Sequence, residues 1–198
     1  MTQAKVQLAS FEEYLAYSDE TPLVGRYELV RGELVELPPE SRLNSTIAIR
    51  VLLALLAAGV EVELIHPGKC EVQVPVLQPS DAANRYPDLV VLRPEHLPLT
   101  QRRLTITRDM PPPRLIVEVV SPGKTNRDRD YVQKRAQYAA IDVPEYWLID
   151  PIAQTLQVLS LAENGYQAVG VFEAAGAIAS VEFPDLVLTV EQLFGAGA

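Results

Sequence analysis

The chain has one cysteine, Cys70, and two histidines, His66 and His96, in 198 residues. A lone cysteine excludes an intrachain disulfide and a multi-cysteine zinc site, and two separated histidines exclude a histidine cluster. Long apolar runs are also missing. None reaches the length of a membrane span, and Met1 to Tyr14 lacks the apolar core of a secretion signal. The expectation is a soluble, cytoplasmic protein with no membrane partner, in which the Asn44-Ser45-Thr46 sequon has no role. Positive charge is in deficit, with 17 Lys/Arg against 26 Asp/Glu for a net charge of −9. That excludes a uniformly basic surface of the kind that grips nucleic acid. No Gly-x-Ser-x-Gly, His-Glu-x-x-His or dinucleotide glycine fingerprint occurs, so esterase, zinc-protease and Rossmann chemistries have no support.

What is present is an ordinary globular composition, 48% hydrophobic and 22% charged, consistent with one domain over residues 1–198. Ser10 caps a short helix, Phe11 to Tyr17. Tyr27-Glu-Leu-Val and Glu33-Leu-Val-Glu-Leu form a hairpin about Arg31-Gly32, to which an architectural role is assigned. Ser41 caps a core helix with apolar positions Leu43, Ile47, Val51, Leu52, Leu55 and Leu56, ending near Gly59. Val60 to Ile65, Cys70 to Leu77 and Tyr86 to Leu92 read as strands. Arg93 to Pro113, broken by five prolines, reads as a long loop with room for one helical turn. A strand from Arg114 to Val120, a helix from about Arg127 to Ile141 and a strand from Pro144 to Asp150 have the spacing of a βαβ crossover. A hairpin follows, Thr155 to Leu161 and Tyr166 to Phe172 about an Asn-Gly turn. The chain closes with Leu186 to Val190 and a helical turn to Phe194. The fold class is α/β: a mixed central sheet flanked by helices, with hairpins near both ends.

Glu118 interrupts the near-continuous apolar run of its strand. A buried carboxylate without a partner costs several kcal/mol or more, so a metal, a cation or a proton is expected beside it. Asp88 interrupts the apolar face of Tyr86 to Leu92 in the same way. It lies at the start of its strand and Glu118 near the end of its own, so antiparallel pairing brings the two acids together. Oxygen-only ligands suit Mg²⁺ or Mn²⁺. Lys134 falls on a helix face with Tyr131, Tyr138 and Ile141, where its ammonium can orient or deprotonate a water or stabilise a phosphate. An ordinary surface pair with Asp130, four residues earlier, is the competing reading. Glu33 and Glu71 are lesser candidates for a further acid. Residues 93 to 135 hold ten Lys/Arg against five Asp/Glu, a local +5 that leaves −14 elsewhere. That basic segment suits a polyanionic substrate, or is balanced by acidic neighbours. Ser121-Pro-Gly-Lys-Thr125 ends like a phosphate-binding loop, but Glu118 stands where the first glycine belongs.

Pro87-Asp88, Glu118-Val-Val-Ser121, Lys134 with Tyr138, and Pro144-Glu-Tyr-Trp147 together resemble the Uma-type putative restriction endonucleases, of the PD-(D/E)xK nuclease-like fold. The resemblance runs from about Phe11 to Phe194. It implies a Mg²⁺-dependent endonuclease acting on nucleic acid, DNA first, with Asp88, Glu118 and the backbone carbonyl of Val119 as metal ligands and Lys134 as the catalytic lysine. The chain departs from the superfamily pattern at Val120, where Glu-x-Lys requires lysine, and from the family at Asn44, where a histidine is common. The alternative is a nuclease-like fold without catalysis that binds nucleic acid or a protein. A homodimer, two sites for two strands, completes the expectation.

Overall fold

The computed structural model describes residues 6–21 and 23–195. Its centre is a pair of strands buried on both faces, β8 (Leu115–Val119) and β9 (Glu145–Asp150), every residue of which is buried. They run parallel in the register Leu115 with Glu145 and Val119 with Ile149. β6 (Leu89–Val91) lies antiparallel on the other side of β8, with Leu89 opposite Val117. β3 (Ile65–Pro67) continues beyond β6, and β10 (Thr155–Ala162) and β11 (Gly165–Glu173) extend the sheet past β9, giving the mixed order β11-β10-β9-β8-β6-β3.

The β8-to-β9 connection is helical: α4 (Lys124–Asp128), a π-helical segment (Arg129–Lys134) and α5 (Arg135–Ala139). α2 (Arg42–Ala57) packs against β3 and β8 through Ile47, Val51 and Leu55, all fully buried. Its Ser41 hydroxyl accepts the Asn44 N–H, satisfying one otherwise orphaned donor. α1 (Phe11–Glu20) begins at Ser10 as expected and forms a small second cluster in which Phe11 and Tyr14 pack with Leu8 and Leu29. β1 (Tyr27–Val30) and β2 (Glu33–Glu36) pair about Arg31 and Gly32, both at positive φ, the geometry of a type I′ turn. A side chain at position 32 would also collide with Gln7, 2.1 Å away.

Several predicted strands are shorter or sit elsewhere. Val60 to Ile65 is mostly a 3₁₀ turn, Val62–Leu64, ahead of β3. From Cys70 to Leu77 only β4 (Glu71–Gln73) forms, and it joins a separate sheet with β5 (Asn84–Arg85) and β7 (Thr105–Ile106). Pro75 and Pro79 have no N–H to continue a ladder. Tyr86 to Asp88 crosses between the two sheets, so β6 is only the last part of the predicted strand. The loop from Arg93 to Pro113 contains α3 (His96–Leu99) and β7. It is held by Arg93 Nε donating to Pro112 O and by a 2.8 Å contact from His96 Nε2 to Pro111 O. Leu186 to Val190 is not a strand: Leu186, Leu188 and Val190 alternate inward, but the stretch makes one isolated bridge, Ala177 with Thr189, before α6 (Val190–Phe194). Period-two burial there reflects packing without a ladder.

Glu145 anchors that C-terminal stretch. Its buried carboxylate accepts from Trp147 Nε1 at 2.7 Å, Ser180 Oγ at 2.6 Å and the N–H groups of Val181 and Glu182 at 2.6 and 3.0 Å. Glu145→Ala strands four donors. Urea unfolding should show a loss of about 3 kcal/mol, with Glu145→Gln losing less because it keeps one acceptor.

Candidate active site

The β6–β8 register continues one rung past Leu89 and Val117, which sets Asp88 opposite Glu118 on the same face of the sheet. Asp88 Oδ2 accepts the Val119 N–H at 2.6 Å, since β6 has ended and no strand carbonyl remains to take it. The Val119 carbonyl accepts from Asn44 Nδ2 at 3.4 Å. Glu118 is enclosed: Oε2 accepts from Lys134 Nζ at 2.7 Å and Oε1 from the Tyr138 hydroxyl at 2.7 Å. Lys134 Nζ also lies 3.0 Å from Asp130 Oδ1. The π-helical turn carries Asp130 and Lys134, both buried, on the face that meets Glu118, and Arg129 Nε pairs with Asp130 at 3.3 Å. Such turns occur frequently at functional sites.

Burial raises the Glu118 carboxyl above the ordinary carboxylate range, Lys134 works against that, and Asp130 adds to it. Asp88 is raised well above its ordinary value, first by burial and then by the charge of Glu118. Burial also pulls the Lys134 ammonium down, but Glu118 and Asp130 more than offset it and hold it above the usual lysine value. The centre therefore sets the Lys134 ammonium against the Glu118 carboxyl, beside a second acid that burial and the charge of Glu118 make reluctant to ionise.

A cleft of about 220 Å³ opens onto Asp88, Glu118, Val119 and Lys134, and Arg26, Glu28, Glu40, Asn44, Tyr86 and Arg129 are among its other walls. The structure thus brings Asp88, Glu118, Val119 and Lys134 together. Glu71 and Glu33 are not among the residues lining it. The Glu71 carboxylate is occupied by Asn84, Arg103 and Thr105. The Asp130–Lys134 pair exists, but it is buried, with side-chain exposures of 1% and 7%, not a surface pair. The β1–β2 hairpin and its approach are more than architectural, since they deliver Arg26 and Glu28 to the cleft. The basic segment does not form a cationic track. Seven of its ten cations, Arg102, Arg103, Arg114, Lys124, Arg127, Arg129 and Lys134, are in ion pairs, so the acidic-neighbour reading holds. No residue from 93 to 113 lines the cleft. Lys124 in the loop-like Ser121–Thr125 stretch is exposed and paired with Asp128 at 2.5 Å.

Residues 11–191 match the Uma2 family, described as putative restriction endonucleases. The chain belongs to the Uma2 family. No curated protein matches it. The crystal structure of a putative nuclease of DUF820 from Anabaena variabilis superposes with a TM-score of 0.63 at 16% identity, over 97% of this chain and 98% of that one. That similarity shows the fold, a central mixed sheet with flanking helices.

In this Uma2 chain the Val120 side chain is 2% exposed and part of the main core, and Lys134 reaches Glu118 from the helix. Asp130, Tyr138, Arg129 and Glu40 were not picked out as site residues by sequence. Asp130 carried a usable signal in its i,i+4 spacing to Lys134, whereas Glu40 and Arg129 carried none.

Asp88→Asn keeps an oxygen for the Val119 N–H while removing a charge the fold disfavours. A raised folded pKa means wild type is favoured below the unfolded value, ordinarily 3.8, and penalised as pH rises through the folded one. In metal-free buffer the variant should therefore be more stable near pH 8, by about 0.5–2 kcal/mol. The difference should vanish towards pH 4, as read by thermal melting across pH.

Proposed function

We propose that this Uma2-family protein is a divalent-metal-dependent endonuclease that hydrolyses phosphodiester bonds of nucleic acid, DNA first. The observation that carries the reading is the Glu118–Lys134 pair at 2.7 Å beside Asp88, one rung from the end of a ladder whose last carbonyl faces the cleft. The donor set fits Mg²⁺ or Mn²⁺: the carboxyl of Glu118, that of Asp88, which burial and the charge of Glu118 make reluctant to ionise without a cation, and the Val119 carbonyl, all oxygen. Each carboxylate keeps lone pairs beyond its present hydrogen bonds. Such an ion, when bound, polarises the phosphoryl oxygens and lowers the pKa of its water.

The protein's own groups supply the rest. Lys134, held as an ammonium by Glu118 and Asp130, acts as a donor to charge developing on the phosphate or as an orienter of the attacking water, not as a base. Tyr138 fixes the free oxygen of Glu118, and Tyr146 holds the turn by donating to Asp130 O at 3.0 Å. Two copies acting together, one per strand, would complete a double-strand cut, and a homodimer belongs to the same reading.

Because Lys134 is buried, Lys134→Ala strands Glu118 and Asp130 and should cost about 3–5 kcal/mol of stability. Lys134→Met keeps the stem and is the better test. With Mg²⁺ present it should cleave DNA about 10²–10³-fold more slowly than wild type. Mg²⁺ should still raise its melting temperature, by mass action on the retained carboxylates. Unchanged cleavage removes the lysine from the chemistry. No cleavage of DNA or RNA by wild type with either metal favours a non-catalytic nucleic-acid or protein binding module.

A further inference from the structure

A second hollow, of about 380 Å³, adjoins the cleft, and Arg26, Pro39, Glu40 and Asp88 line both. Its far end is lined by Gly68 and Lys69, from the turn between β3 and β4, and one side by Ser45, Ala48 and Ile49 of α2. Lys69 is exposed, and among the described residues its side chain has neither a hydrogen-bond nor an ion-pair partner. Arg26 is held loosely: its guanidinium donates to Gly68 O and Pro38 O at 3.4 Å each and lies 3.9 Å from Glu40, all near the limit of useful contact. This contrasts with the segment from 93 to 135, where most cations are already neutralised. The groove thus has a cationic end with spare donors and a partly apolar wall carrying Ile49, 48% exposed. A sugar-phosphate strand has the matching chemistry, an anionic edge and a less polar side.

We infer that the DNA strand leaves the catalytic cleft through this hollow, with Arg26 and Lys69 taking the phosphate next to the one that is cut. The inference rests on the nuclease reading above. Both residues act as positioning groups: they contact backbone away from the reacting atoms and so govern binding, not the chemical step.

The test is fluorescence-anisotropy titration of a short labelled DNA duplex against wild type, Lys69→Ala, Arg26→Ala and, as a control, Arg108→Ala in a separate hollow. The titrations are run without metal at low and rising salt and are paired with steady-state cleavage in Mg²⁺. Lys69→Ala and Arg26→Ala should each weaken binding about tenfold and flatten the salt dependence by about 0.9 in the log–log slope. Lys69→Ala, which lies outside the catalytic cleft, should raise KM while leaving kcat within about twofold. Arg108→Ala should match wild type. If wild type binds DNA and the two variants bind as tightly with the same slope, the groove assignment is overturned and the nuclease reading stands. If wild type binds through both residues but cleaves nothing, the groove stands as a binding site and the catalytic reading fails. If wild type neither binds nor cleaves, both fall.

Discussion

The buried Glu118–Lys134 pair is the interaction on which the rest of the centre depends. Taking a carboxylate and an ammonium out of water costs several kcal/mol per ion, and it is recovered only when geometry is close and every remaining lone pair and proton is met. Here it is met on both sides: Tyr138 takes the second oxygen of Glu118 and Asp130 takes a second face of the ammonium. A core of that composition is weak evidence for stability by itself, since apolar side chains of similar volume would serve a fold as well. Its retention beside a second acid, Asp88, at the end of a strand ladder is what gives it functional weight.

The fold supplies the geometry by simple register. Antiparallel pairing of β6 with β8 sets Asp88 across from Glu118, and the early end of β6 leaves the Val119 N–H on that side to the Asp88 carboxylate instead of a strand carbonyl. Parallel pairing of β8 with β9 requires a crossover helix, which covers the Glu118 face and carries the lysine. Lys134 therefore reaches the acid from the helix, and Val120 is free to fill the core. The small sheet contributes through Arg85 of β5, which meets Gln137 of α5. Arg85 pairs with Glu28 at 2.9 Å, Gln137 accepts from Arg85 at 2.9 Å, and the two together tie the N-terminal hairpin to α5.

Much of this was legible in the chain because it rests on local pattern. A carboxylate inside a buried apolar run, a second at the start of another strand, and a lysine on an apolar helix face are visible without coordinates, whereas the antiparallel pairing that joins the two acids was a condition that only the structure meets. What escaped rests on contacts between distant residues. The ion pairs Arg103–Glu71 and Arg114–Glu182 neutralise a segment that looks basic in sequence. The position of Glu40 beside the acids depends on how the chain leaves β2. Strands of two or three residues such as β5 and β7 carry too little periodicity to be seen, and the alternation at Leu186 to Val190 overstates a strand because burial alone can produce it. The π-helical turn leaves no mark in the residue pattern.

The central claim is that Asp88, Glu118 and the Val119 carbonyl form a cation site with Lys134 alongside. The most direct measurement is anomalous diffraction from a crystal soaked in Mn²⁺. The account predicts one strong peak within coordination distance of both carboxylates and the Val119 oxygen, with Lys134 still hydrogen-bonded to Glu118. A crystal that shows no manganese there, or shows it only at other acids while the Glu118–Lys134 contact stays closed, would contradict it.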